Sequence, residues 1–295
     1  MLDYRLFVFR TVAEKLNFTR AARELHISQP SVSQHVKLLE EHFGIALFRR
    51  SGAGITLTEE GHLLLAHAQR IADLERATEQ AIRSAAGGLT GEIRCGASTT
   101  VGQYFLPALI GEFHAKHSGI QVKLNVGNTE EIVGALLASK IDVGFIEGPC
   151  GRTDITTGKF FDDELLCVAA PSHPLAQLKN VSKTDLASAK FIMREQGSGT
   201  REITERALKR YGVSAKELNV LIELKYSESI KGVLETGIGI GFLSKLVVRK
   251  ELAAGSLCVI PVKKLRVSRA FYFIYPRGPR LTGPAGAFLD FVTEP

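Results

Sequence analysis

Cysteine is scarce, with four in 295 residues, and no two of Cys95, Cys150, Cys167 and Cys258 stand in a CxxC pair. That removes the paired-cysteine redox and zinc motifs. Cys95, Cys167 and Cys258 sit in apolar, strand-like runs and read as reduced core residues. Cys150, in EGPCGR beside Arg152, is the one candidate reactive thiol, because neighbouring cationic charge lowers a thiol pKa. It has no resolving partner nearby in sequence. Long apolar runs are missing too, as is a signal segment, so the expected setting is the cytoplasm without a membrane. No nucleophile with a base, metal-ligand cluster or pair of carboxylates occurs at a recognisable spacing. No catalytic residue is therefore assigned, no metal site and no cofactor. His114 and His117 lie three apart but lack a third ligand and read as solvated. GIGIGF at 237–242 lacks the strand-before, helix-after context of a dinucleotide loop, and reads as a helix end running into a buried strand.

The run FTRAARELHISQPSVSQHVKLLEEHFG at 18–44 reads as two short helices joined by a tight polar turn. Ala21, Ala22 and Leu25 share one helical face, and Val32, Val36, Leu38 and Leu39 continue an apolar stripe beyond the break. Small alanines let two helices cross closely. Ser28 suits an N-cap and Pro30 the first helical turn, so the second helix begins at about Gln29. Its start carries Gln29, Ser31, Ser33 and Gln34, side chains suited to base edges and phosphates in a major groove. Next, IALFRRSGAGITLT at 45–58 reads as strand, turn and strand with Arg49 and Arg50 at the tip, a basic wing.

The run from FRTVAEKLNFTRAARELHISQPSVSQHV to ITLTEEG closely resembles the winged helix-turn-helix of LysR-type bacterial transcription regulators. The resemblance implies DNA contacts from Thr19, Gln29, Pro30, Ser31, Ser33, Gln34 and Lys37, with Ser28 at the turn and Arg49 and Arg50 in the wing. Position 34 is often arginine in that family. A glutamine there favours adenine where arginine would favour guanine.

Charge agrees with a polyanionic partner. The chain carries +6, and residues 1–58 hold eight Lys and Arg against five Asp and Glu, so half the excess lies in a fifth of the length. With 45% hydrophobic residues over 295 positions, two or more domains are expected. Residues 59–86 contain no proline and glycine only at Gly61, which predicts one helix of roughly 40 Å, capped by Thr58 with Glu59 and Glu60 in its first turn. Leu64, Ile71, Leu74 and Ala81, with Ala85, mark a seam near heptad spacing for a partner helix. The family resemblance makes this the dimer helix, with dimers pairing into a homotetramer.

GGLTG at 87–91 reads as a hinge. Beyond it β and α patterns alternate, predicting a mostly parallel α/β sheet. Strands are expected at 92–97, 121–126, 142–146, 164–169, 190–193, 220–226, 239–243 and 270–275. Helices are expected at 106–116, 130–139, 200–211, 229–236 and 283–292. In such sheets ligands bind beyond the carboxyl ends of the strands, near helix N-termini. Three loops fit: Ser98, Thr99 and Thr100; Asn128 and Thr129; and Gln196, Gly197, Ser198, Gly199, Thr200 and Arg201. Singly each is a helix cap; together they describe a site for a small anion or polyol phosphate.

LysR-type effector domains resemble two-lobed periplasmic binding proteins. The resemblance implies a winged helix-turn-helix domain at 1–58, a linker helix at 59–86, a hinge at 87–91, lobe 1 at 92–162 and 268–295, and lobe 2 at 163–267. It places the three loops and Glu147 around the effector, with Glu147 either bonding an effector hydroxyl or pairing with Arg152. MREQGSGTRE and GASTTVGQYFLP are most similar to the branch governing carbon fixation and inorganic sulfur or nitrogen assimilation. The implied partners are double-stranded DNA, RNA polymerase and a small-molecule effector, whether a sugar phosphate, a nucleotide or an oxyanion. The rival reading is an α/β solute-binding or enzymatic protein whose N-terminal helices bind only protein.

Overall fold

The structure is a computed structural model that describes residues 3–52, 54–85, 89–214 and 218–294. Gly87 and Gly88 of the expected hinge, and the side chains of Arg50 and Ala81, lie outside what it describes. The chain forms two compact units, residues 1–87 and 88–295.

In the first unit, α1 (Tyr4–Lys15), α2 (Phe18–Glu24) and α3 (Gln29–Phe43) precede a hairpin of β1 (Phe48–Ser51) and β2 (Gly54–Leu57) and the long α4 (Glu59–Ala85). Local signals set the helix ends. Asn17 caps α2 by accepting from Arg20 N, and Ser28 caps α3 by accepting from Ser31 N. Gly44 ends α3 in the left-handed region at φ 67°, where a residue without Cβ is unstrained. Val8, Val12, Ala21, Ala22, Val32 and Val36 form the core that fixes the three helices. Leu38 is exposed, outside the stripe expected of it. Leu64 packs with Leu57 on a second cluster of Phe9, Ala13, Leu39 and Leu47, so the first residue of the expected dimer seam has an intramolecular role. Arg49 and Arg50 stand within β1, opposite Thr56 and Ile55, and not at the tip. The strand begins three residues later than its apolar pattern suggests.

The second unit contains β3 (Gly91–Ser98), α5 (Leu106–Lys116), β4 (Ile120–Gly127), α6 (Thr129–Leu137), β5 (Val143–Glu147) and β6 (Ile155–Ala169). There follow α7 (Lys183–Ala187), β7 (Lys190–Arg194), α8 (Gly199–Tyr211), β8 (Asn219–Leu224) and α9 (Ser227–Glu235). The chain closes with β9 (Gly241–Ser244), α10 (Arg249–Ala254), β10 (Cys258–Val259), β11 (Val267–Pro276) and α11 (Gly283–Thr293). One sheet runs β10-β6-β11-β5-β3-β4, with β9 also on β6, and β7 pairs with β8.

The expected mostly parallel sheet is wrong for this main sheet. Only the β3–β4 and β3–β5 pairings there are parallel; β6 and β11 run antiparallel to each other from Leu165↔Val267 to Ile155↔Pro276, and β11 runs antiparallel to β5. A strand's residue pattern encodes which face is buried, not the direction of its neighbour. The first half of β6 was also hidden, because Gly158 interrupts its alternation. A Cβ at Gly158 would stand 2.2 Å from Phe273 Cζ, so the glycine makes room for a ring on the adjoining strand. The long pair β6 and β11 joins two lobes. One is centred on Ile93, Phe113, Phe145, Phe271 and Phe288, the other on Val181, Phe191, Leu208 and Ile240.

Thr58 donates to Ala46 O at 2.8 Å and accepts from Gly61 N at 2.9 Å, joining the hairpin to α4. A Cβ at Gly61 would lie 2.2 Å from Leu47 O and 2.9 Å from Leu57 Cδ2. Gly61→Ala, despite its better helix propensity, is therefore expected to destabilise the first unit by about 1–3 kcal/mol through overpacking. Urea unfolding followed by helical circular dichroism checks this, and a stabilised variant would contradict the contact.

Candidate functional site

The carboxyl ends of β3, β4, β5 and β7 deliver Ser98, Gly127, Glu147 and Arg194 to one region of the second unit. The loops that follow meet there. Glu130 N donates to Gly197 O at 3.3 Å, and a Cβ on Gly199 would stand 2.4 Å from Glu147 O and 2.8 Å from Thr129 Oγ1. Only glycine fits this approach of α8 to β5. Ser98, Thr99, Thr100, Asn128, Glu147, Ser198 and Thr200 are all buried.

Glu147 is the centre of the arrangement. It accepts from Thr100 N at 3.0 Å and from Thr200 Oγ1 at 2.6 Å, and Arg269 Nη1 meets it at 2.5 Å. Arg269 Nε reaches Asp163 at 2.6 Å, and Asp163 also accepts from Ser244 Oγ at 2.8 Å. Burial pushes the Glu147 carboxyl up, but the charges of Arg269 and Arg194 and the hydrogen bonds from Thr200 and Thr100 outweigh it and hold the group at about 2. The expected pairing of Glu147 with Arg152 needs correcting on this geometry. Arg152 instead forks onto Asp154 with two bonds of 2.9 Å, and Glu147's oxygens are already engaged by protein donors. Arg201 also departs from expectation: it binds Glu205 and Glu223 and donates to Arg194 O at 2.9 Å. Its charge is taken up by the two glutamates, and one of its N–H groups holds a neighbouring backbone carbonyl.

Arg194 is the cation in the position expected of Arg201. Its Nη2 donates to Thr99 Oγ1 at 3.1 Å, while Nη1 is buried without a partner. Ser98 Oγ, Thr129 Oγ1, Ser198 Oγ and Arg269 Nη2 are likewise buried and unpartnered. A polar atom left in this state costs about 1–3 kcal/mol, so five in one cleft point to a polar ligand. Asn128 behaves differently, as one half of a capping box with Glu131. Of the cap readings, then, Asn128 is a cap, whereas Ser198 makes no side-chain cap bond.

Sequence reasoning missed Arg194 and Arg269. Val267, Arg269 and Phe271 alternate with more exposed neighbours, so an arginine on the buried face of a strand was a legible signal. Arg194 was visible as the residue ending the strand before the glycine turn. The cysteines fall as follows: Cys95 and Cys167 are buried with thiols pushed far up by burial, and Cys258 is half-buried and also raised. No helix among the described residues is long and apolar enough to cross a membrane.

The first unit presents a second candidate surface. Thr19, Ser28, Gln29, Pro30, Gln34, Lys37 and Arg49 are exposed, and Ser31 and Ser33 half-exposed. Gln29 Nε2 donates to Ser33 Oγ at 2.9 Å, and the Ser28 and Ser31 hydroxyls bond each other at 2.7 Å, so the first turn of α3 is ordered before any partner arrives. Glu40 accepts from Leu47 N at 2.7 Å and Phe48 N at 3.3 Å, fixing the start of the hairpin to α3.

Residues 4–62 match the bacterial regulatory helix-turn-helix proteins of the lysR family, and residues 86–294 match the LysR substrate binding domain. A RuBisCO operon transcriptional regulator from Allochromatium vinosum is 35% identical over 98% of this chain and 94% of its own. The regulatory domain of CcmR from Synechocystis PCC6803, solved in complex with 2-PG, superposes with a TM-score of 0.63 at 33% identity, covering 69% of this chain and 96% of that one. Full-length CbnR, solved with its target DNA, covers 99% of each chain with a TM-score of 0.66 at 25% identity.

Because Glu147's folded pKa lies below the ordinary 4.5, its ionised form stabilises the fold above that value, and the contribution is lost as pH falls toward about 2. Glu147→Gln is expected to cost about 3–5 kcal/mol at pH 7, since Arg269 loses a buried partner. It should also flatten the acid limb of stability between about pH 4.5 and 2 relative to the wild type. Denaturant titrations across that range are the check; superimposable acid limbs would rule this role out.

Proposed function

The chain belongs to the LysR family of bacterial transcriptional regulators, and from that premise we propose that its cleft binds a small metabolite carrying a phosphoryl or other tetrahedral oxyanion group. It is a DNA-binding transcriptional regulator with an effector-binding domain. The observation that carries the effector class is the set of five buried, unpartnered groups, every one able to donate: two guanidinium nitrogens and three hydroxyls. Their donors suit an acceptor-only, anionic ligand. An apolar effector would leave all five unsatisfied. The 2-PG held by the Synechocystis relative, 2-phosphoglycolate, has this chemistry and is the first compound to try.

On DNA, α3 serves as the recognition helix, with Gln29, Ser31, Ser33 and Gln34 toward the bases and Thr19, Ser28, Pro30, Lys37 and Arg49 toward the backbone. Leu74 and Ile82 on α4 are about two-thirds exposed, at 66% and 65%. Such residues on a long helix suit a partner helix, with Ile71 and Leu74 in the seam. Dimers so formed place two headpieces on half-sites roughly 34 Å apart, and pairing of dimers gives the tetramer through which effector occupancy reaches RNA polymerase. Effector binding shifts this assembly only to the extent that it prefers one arrangement of the lobes.

Three measurements test these assignments. In calorimetric titration the wild type binds 2-phosphoglycolate or inorganic phosphate, and Arg194→Ala weakens that binding at least tenfold while operator affinity holds. Equal binding by both proteins would remove the cleft from consideration. In gel-shift titrations on the chain's own upstream DNA, Gln29→Ala costs about 1–3 kcal/mol, and Arg49→Ala lowers the salt slope by about one. Indifference to both changes would favour the protein-interaction reading of the first unit. Leu74→Asp lowers the mass seen by light scattering, and an unaltered mass would remove α4 from the interface.

A further inference from the structure

Arg194 does not wait in the cleft with its whole fork open. Its Nε donates to Glu195 Oε2 at 2.8 Å and its Nη2 to Glu195 Oε1 at 3.1 Å, a bidentate pair between sequence neighbours. Glu195 has no other side-chain partner among the described residues. The arginine side chain is 2% exposed and the glutamate 17%, so the carboxylate stands at the rim with a route outward. Charge balance makes the pairing consequential. The cleft already contains Glu147 and Asp163 against Arg269 and Arg194, and Glu195 takes it to a net charge of −1. A dianion entering beside all three carboxylates would meet strong repulsion in a buried, low-dielectric setting.

We infer that Glu195 is a built-in competitor, occupying the Arg194 fork in the ligand-free domain and giving it up to the tetrahedral anionic group of the effector. The inference rests on the anion-effector reading above and adds how that site selects its ligand. A carboxylate ligand merely replaces one carboxylate by another. A phosphoryl group brings a second charge and further oxygens for the hydroxyls of Ser98, Thr129 and Ser198, so it displaces Glu195 where a monoanion gains little. The released carboxylate has a cationic neighbour to receive it, because Lys225, which holds Glu131 at 2.7 Å, also feels the charge of Glu195. Glu131 belongs to α6 on one lobe and Lys225 follows β8 on the other. Exchange at Arg194 thereby reaches an ion pair that links the lobes.

The experiment is calorimetric titration of the full-length wild type, Glu195→Gln and Glu195→Asp with inorganic phosphate and 2-phosphoglycolate, at fixed pH and ionic strength. Glu195→Gln is expected to bind both compounds at least tenfold tighter than the wild type. Glu195→Asp, whose shorter arm cannot span the fork, should fall between them. A wild type that binds while both variants bind equally or more weakly overturns the competition and leaves the anion site standing. No binding by any of the three overturns the anion site as well. As a readout independent of variant stability, the Arg194 Nε–H resonance of the wild type, assigned through Arg194→Lys, should move on adding saturating phosphate. A fixed resonance despite measured binding would show that no exchange occurs.

Discussion

A guanidinium sealed between two carboxylates organises the effector domain. The side chains of Arg269, Glu147 and Asp163 are all at most 2% exposed, and stripping such ions of water costs several kcal/mol each. The cost is offset only because the geometry is complete on nearly every side. Thr100 and Thr200 complete Glu147, while Ser244 completes Asp163. Arg269 lies on β11 and Asp163 on β6 at the register where the two strands pair. Glu147 ends β5, and Thr200 opens α8. One cation therefore fixes the strands that carry the chain between lobes, the floor of the cleft and a helix on its far wall.

That anchoring separates the cleft's hydroxyls into two groups. Thr99, Thr100 and Thr200 are committed to the protein through side chain or backbone, whereas Ser98, Thr129 and Ser198 keep unpartnered hydroxyls. Ser98 adjoins Thr99 and Thr100, Thr129 follows the capping Asn128, and Ser198 lies two residues before Thr200, so engaged residues flank each idle donor. Preorganisation of this kind lowers the entropy lost on binding. The lobes also touch directly. Tyr104, in the π-helical turn before α5, hydrogen-bonds Glu228 of α9, whose neighbour Lys231 is buried against Glu251. A ligand that alters the balance among these contacts changes the relative populations of lobe arrangements.

Much of this was legible from residue order. The helix-turn-helix, its Ser28 cap, the long helix after Thr58 and the loop at 128–129 follow from capping chemistry and periodicity, and the loops at 98–100 and 196–201 from their places between a strand and a helix, all of which are local signals. What was not legible depends on contacts distant in sequence. The direction of β6 and β11, and the pairing of Glu147 with Arg269 across 122 positions, leave no mark in either segment alone. Arg201 looked available because nothing near it in sequence predicts Glu223 as its partner. The displaced assignment of Arg49 and Arg50 has a smaller cause: the apolar Ile45 and Ala46 resemble a strand start, but the chain there is still leaving α3.

The first unit carries a mechanical corollary. Only Thr58 separates the hairpin from α4, and it is bonded to both sides, while Gly61 is pressed against the backbone of Leu47. The wing and a helix of roughly 40 Å are thus welded with no slack, a stiff spindle rather than a tether. Any twist imposed on the far end of that spindle turns the basic hairpin with it, without an intervening moving part.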